Sequence, residues 1–70
     1  MIPQEEIKKR LKEDITASGK SQTEIAKALG IKQQSVQQYL SGRALPSLDT
    51  FANLCEFLEL DPAYILGVKN

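Results

Sequence analysis

The chain has 70 residues, of which 41% are hydrophobic and 26% charged, and its nine Lys and Arg residues balance its nine Asp and Glu residues. This is the composition of an ordinary globular protein, and the length has room for one small domain, which we expect to cover residues 1–70. One cysteine and no histidine exclude an internal disulfide, a zinc or iron site and a Ser-His or Cys-His catalytic pair, so we expect neither an enzyme nor a cofactor.

The first predicted helix covers residues 3–18. Its apolar residues Ile7, Leu11 and Ile15 repeat every four positions along one face. Its charged residues stand where a signal peptide would need an uninterrupted apolar stretch, and the later apolar run 63–68 is too short to cross a bilayer. We therefore expect a cytoplasmic protein with no membrane contact.

Two short helices are predicted next, over residues 22–29 and 33–41. Ser21, followed three residues later by Glu24, forms a capping box in which the hydroxyl and the carboxylate bond backbone N–H groups at the helix start. Gly30 ends the first of these helices, because glycine enters the left-handed region without a Cβ penalty.

The fourth and fifth predicted helices cover residues 48–58 and 62–66. Ser47 is expected to cap the fourth, and Asp61 with Pro62 to begin the fifth. No segment shows the alternation of a strand, so the predicted fold is all-α with five helices. The predicted buried stripe of the fourth helix is Leu48, Phe51, Ala52, Cys55 and Leu58.

The second and third helices carry a spacing typical of a helix-turn-helix. Ala26 is small enough to let the two helices approach closely, Gly30 makes the turn four residues later, and Val36 fills the gap six residues further on. Spacing, capping and turn chemistry therefore agree.

Three stretches resemble the phage repressor and Cro family of helix-turn-helix domains: residues 21–31, residues 33–36 with Tyr39, and residues 41–43 with 46–48. That family includes the lambda and 434 repressors and many bacterial regulators of the xenobiotic-response-element type. The resemblance covers roughly residues 5–67 and implies a compact lambda-repressor-like domain whose third helix docks in the major groove of double-stranded DNA. Lys20 and the pair at 14–15 depart from the family pattern, so the packing of the first helix is not carried over.

The third helix has glutamines on the side opposite its predicted core residues, Val36, Tyr39 and Leu40. A glutamine amide can donate to adenine N7 while it accepts from the N6 amino group, so this face favours A·T-containing half-sites. Alone, such glutamines are also typical of a solvated helix surface; the helix-turn-helix frame favours contact with DNA. The predicted base contacts are Gln33, Gln34, Gln37 and Gln38.

Phosphate contacts are expected to flank these glutamines. The resemblance implies that Gln22, at a helix start, and the loop of Gly42 and Arg43 bind the DNA backbone. The charge distribution agrees, because residues 1–46 carry a net charge of +3 and residues 47–70 a net charge of −3. The full set of predicted phosphate contacts is Gln22, Lys27, Lys32, Ser41, Gly42 and Arg43.

The last segment has more apolar residues than a small monomer is expected to cover. Relatives in the family often dimerise through this end, and a two-fold dimer would place two recognition helices about 34 Å apart. We therefore predict a homodimer. Its predicted contacts are Tyr64, Ile65, Leu66 and Val68.

These features favour a sequence-specific transcriptional regulator, a repressor that acts by occupying DNA and has no ligand-sensing domain or small-molecule substrate. An alternative stays open: a helix-turn-helix module whose main partner is another protein, as in antitoxin-like or coactivator-like relatives. The zero net charge supports this alternative, because non-specific DNA affinity normally comes from an excess of Lys and Arg side chains.

Overall fold

Helices account for all the regular structure of residues 2–68, the part of the chain that the computed structural model describes, and no strand occurs within it. The predicted all-α fold is confirmed. The first helix begins one residue later and ends one residue earlier than expected. The helices are α1 (Gln4–Ala17), α2 (Gln22–Leu29), α3 (Gln33–Ser41), α4 (Leu48–Leu58) and α5 (Pro62–Leu66).

The capping box at the start of α2 is formed as predicted. The Glu24 N–H donates to the Ser21 hydroxyl, and the Ser21 N–H donates to the Glu24 carboxylate, both over 3.1 Å. The bond from the Ser21 N–H to the carboxylate is the main cause that lowers the pKa of Glu24, and the Ser21 side chain lowers it further. Asp61 likewise begins α5, since its carboxylate accepts from the Ala63 N–H over 3.0 Å.

Ser47 does not cap α4 with its side chain, which corrects the sequence prediction. It occupies the N-cap position, but its hydroxyl donates to the Asp49 carboxylate over 2.5 Å instead of accepting from a backbone N–H. The carboxylate two residues on is the stronger acceptor and lies within reach, so the hydroxyl is turned toward it.

The core is built from one or two side chains of each helix. α2 packs on α3, α1 lies across α3 and α5, and α4 packs against α2. Partly buried residues, among them Ile7, Leu29 and Phe51, surround this centre. The buried set is Leu11, Ile15, Ile25, Ala26, Val36, Tyr39, Leu54 and Ile65.

The buried stripe of α4 differs from the predicted one. Leu54 is fully buried, whereas Leu48 is 84% exposed and Ala52 is also exposed. Leu48 and Leu54 lie about 60° to either side of Phe51 around the helix, at about 100° per residue. Helical spacing alone does not show which of these two edges of the stripe is buried. The choice depends on the side on which α2 packs.

α5 packs more closely on the rest of the domain than the sequence suggested. Ile65 is 0% exposed and belongs to the core, so its prediction as a dimer contact is wrong. α5 lies against α1, and Arg10 joins the two helices. Its Nη1 donates to the Tyr64 carbonyl oxygen over 2.7 Å, and its guanidinium lies 4.7 Å from the centre of the Tyr64 ring.

Candidate nucleic-acid interface

The α2–α3 pair has the geometry that its spacing predicts. Ala26 is buried where α2 meets α3, and its carbonyl oxygen accepts from the Ile31 N–H over 3.0 Å. Gly30 adopts φ 68° and ψ 32°, the left-handed conformation that the turn requires. Val36 is fully buried behind the turn. The two helices are therefore fixed relative to each other, and the outer face of α3 is held at a defined angle.

That outer face is lined by polar side chains. Gln33, Gln34 and Gln37 are exposed, and Gln38 is half-buried. A shallow depression lies along this face, bordered by three of the glutamines and by two residues from the end of the helix. The residues that line it are Gln34, Gln37, Gln38, Ser41 and Arg43, so five of the residues predicted to contact DNA lie together.

Arg43 reaches this depression because α3 ends in a left-handed turn. Gly42 has φ 79° and ψ 10°, which reverses the chain direction directly after Ser41. The Arg43 N–H then donates to the Gln38 carbonyl oxygen over 3.0 Å, and the Ser41 hydroxyl donates to the same oxygen over 3.1 Å. One carbonyl group thus fixes the backbone of the loop beside the glutamine face.

The remaining predicted phosphate contacts lie outside this depression. Gln22 is the first residue of α2 and is half-buried, while Lys27 and Lys32 are exposed. Lys32 is the N-cap residue of α3, and its carbonyl oxygen accepts from the Ser35 N–H over 3.0 Å. An ammonium group cannot accept a hydrogen bond, so the Lys32 side chain is available for other contacts.

Three lysines that the sequence interpretation overlooked lie next to α3. Lys8, Lys9 and Lys12 line a second depression together with Glu5, and its other wall is made by Ser41 and Gly42. Their spacing is the signal that would have identified them, since positions 5, 8, 9 and 12 share one face of a helix.

Residues 2–68 contain neither a cluster of metal-ligating side chains nor an activated thiol. No group of three or more His, Cys, Asp or Glu residues in this range could hold a metal ion. Burial, followed by the nearby carboxylates of Asp61 and Asp14, raises the pKa of Cys55, which keeps it a neutral thiol at neutral pH. No helix in the same range is long and apolar enough to cross a membrane.

Comparison with protein-family models matches residues 7–65 to the helix-turn-helix model of the Cro/C1 type. The match spans well over half of the chain and includes all of α2, α3 and α4. No curated protein and no solved structure matches the chain.

Proposed function

The chain belongs to the Cro/C1-type helix-turn-helix family, a family of DNA-binding regulators, and on this basis we propose that it is a sequence-specific repressor. The observation that carries the proposal is the depression along α3, where glutamine amides lie beside Arg43. Amides suited to base edges and a cation suited to phosphate occur in one place, as a protein that reads the major groove requires.

The glutamine face supplies the sequence preference. Gln34 and Gln37 are exposed and line the depression together with Gln38, and Gln33 is exposed at the start of the helix, at the edge of this face. Each amide can make a paired contact with an adenine, worth about 1–3 kcal/mol of discrimination against another base. Two or three such contacts are sufficient for a specific site, and we propose A·T-containing half-sites.

The phosphate contacts fix the position of α3 on the duplex. Arg43 is the strongest candidate, because its loop is held by the Arg43 and Ala44 N–H groups, which both donate to the Gln38 carbonyl oxygen. Gln22 lies at the N-terminus of α2, where free N–H groups favour an anion. The other proposed contacts are Lys27, Lys32, Ser41 and Gly42.

We also propose that the repressor binds as a two-fold homodimer. Of the residues predicted for that interface, Tyr64 is 38% and Val68 70% exposed, and Leu66 is half-buried in an apolar groove. The 84% exposed Leu48 stands on the same groove, where a second copy of the chain would cover it. Two copies would present two α3 helices to one inverted repeat.

Two substitutions test the assignment of roles in the proposed site. Gln34→Ala should reduce the discrimination between bases at one position of the site by about 1–3 kcal/mol, because it removes an amide that contacts a base edge. Arg43→Ala should weaken binding to all sequences alike and reduce the salt dependence, because it removes a phosphate contact. Fluorescence anisotropy with a preferred duplex and its single-base variants measures both effects.

Gln4→Ala is the matched control, since Gln4 is an exposed glutamine at the start of α1. It should leave both affinity and base preference unchanged. Equal weakening of every duplex by Gln34→Ala and Arg43→Ala would show that Gln34 does not read a base.

A further inference from the structure

The depression between α1 and the end of α3 combines three lysines with a backbone turn. We propose that it binds a second stretch of phosphate backbone on the same DNA duplex, so that the interface extends from the helix-turn-helix onto α1. Lys8, Lys9 and Lys12 supply the charge. This inference rests on the function proposed above and adds a contact surface to it.

The lysines are held in place by the adjacent apolar face of α1. Leu11 and Ile15 are buried in the core, and α1 packs directly on α3. Because residues three and four positions apart share a helix face, Lys8, Lys9 and Lys12 project together on the side of α1 that borders the end of α3.

The two depressions adjoin each other at Ser41. Ser41 lines both of them, with Arg43 on one side and Gly42 and the α1 lysines on the other. A DNA strand whose phosphates contact Arg43 can therefore extend along a polar, positively charged surface past the end of α3. This position favours the DNA backbone as the occupant over an acidic protein, because a duplex bound at Arg43 already passes beside the α1 lysines.

Charge is unevenly distributed within the surface. Lys9 and Lys12 are exposed, whereas Lys8 is half-buried and its Nζ lies 3.7 Å from the Glu5 carboxylate. Glu5 also lines the depression and repels an anion there. Lys9 and Lys12 should therefore provide most of the attraction, and Glu5 should limit it.

The central experiment measures DNA affinity across a range of salt concentrations for the full chain and for Lys9→Gln/Lys12→Gln. Each phosphate contact contributes about 0.9 to the slope of log affinity against log salt, which corresponds to about eightfold in affinity at 0.1 M salt. Loss of two contacts should reduce the slope by about 1.8 and the affinity by roughly 60-fold on every duplex. Base preference should not change.

Two further variants serve as a charge-matched control and as a test of the opposite charge change. Lys20→Gln removes the same charge from a lysine whose Nζ lies 5.9 Å from the Phe57 ring, outside this surface, and should leave the slope unchanged. Glu5→Gln should raise affinity for every duplex by up to about eightfold, because it removes a repulsive charge and releases Lys8 for a phosphate. Circular dichroism melting verifies that each variant is folded.

The outcomes separate this inference from the function on which it rests. A shallower slope for Lys9→Gln/Lys12→Gln with unchanged base preference supports it. A slope and affinity equal to those of the unmodified chain, while that chain still discriminates between duplexes, overturns the α1 surface alone. Failure of the unmodified chain to bind any duplex at low salt overturns both proposals.

Discussion

Replacement of Leu54 by alanine should remove a large part of the stability of the domain. Leu54 is 0% exposed, so the substitution deletes three carbons from a closed core. At about 0.8 kcal/mol for each carbon the transfer free energy is about 2.4 kcal/mol, and the cavity left behind brings the loss to about 3 kcal/mol. A domain of this size has about 4–10 kcal/mol in total. We expect a decrease in Tm of roughly 12–24 °C.

Leu48→Ala is the matched control for this measurement, because it makes the same chemical change in the same helix at a side chain that is 84% exposed. In urea unfolding followed by circular dichroism at micromolar concentration, it should change the free energy of unfolding by less than about 0.5 kcal/mol. At higher protein concentration it should reduce any gain in stability that comes from dimerisation. Equal losses for the two variants in dilute solution would refute the packing of α4 described here.

Two further predictions concern the ends of helices. Ser21→Ala should cost about 1 kcal/mol in the free energy of unfolding at neutral pH, because it removes the acceptor for the Glu24 N–H. The folded-state pKa of Glu24 is lowered, so the stability that its carboxylate contributes is present at neutral pH and is lost as the pH falls through that lowered pKa. Because alanine keeps the backbone N–H that is the main cause of this shift, the difference between Ser21→Ala and the unmodified chain should keep most of its size in acid. A difference that disappears in urea titrations between pH 7 and pH 2 would contradict this. Glu59→Gly should increase the free energy of unfolding by about 0.5–1 kcal/mol. Glu59 has φ 55°, and a side chain in this left-handed conformation destabilises the folded state. Glycine removes that strain, and the removal outweighs the larger conformational entropy that glycine gives the unfolded chain. Glu56→Gly, in the helical part of α4, should destabilise by about 1 kcal/mol in the same assay, and loss of stability in both variants would argue against the strain at Glu59.

Much of the fold could be predicted from the sequence because the helix ends carry local signals. Gly30, Gly42 and Gly67 all have positive φ at the ends of their helices, and the capping box at Ser21 is formed. Such signals act within a few residues and do not depend on tertiary contacts. The end of α4 lacks one, since Glu59 takes the left-handed position that glycine usually fills.

The errors arose where the answer depends on neighbouring helices. Leu48 and Leu54 occupy equivalent edges of the α4 stripe, and only the packing of α2 buries one of them. The apolar composition of the last segment predicts an uncovered Ile65, but α1 and α5 lie close enough to enclose this side chain. Periodicity gives the direction of a side chain relative to its own helix and cannot show which surface lies opposite.

In the candidate site too, features within one helix could be predicted from the sequence, whereas contacts between helices could not. The glutamine face of α3 follows from the period of one helix, and the structure places Gln34, Gln37 and Gln38 along one depression. The contribution of α1 could not be read in the same way, because Lys9 and Lys12 lie far in sequence from Ser41 and Gly42. Only the packing of α1 on α3 brings these residues to one surface.

Selection of the purified chain on a randomised duplex library, followed by sequencing of the bound DNA, tests the central claim most directly. We expect enrichment of an inverted repeat with adenine-containing half-sites whose centres lie about one helical turn, or 10–10.5 base pairs, apart. Absence of any enriched sequence at low salt would contradict DNA readout by α3 and would favour a protein partner for the helix-turn-helix.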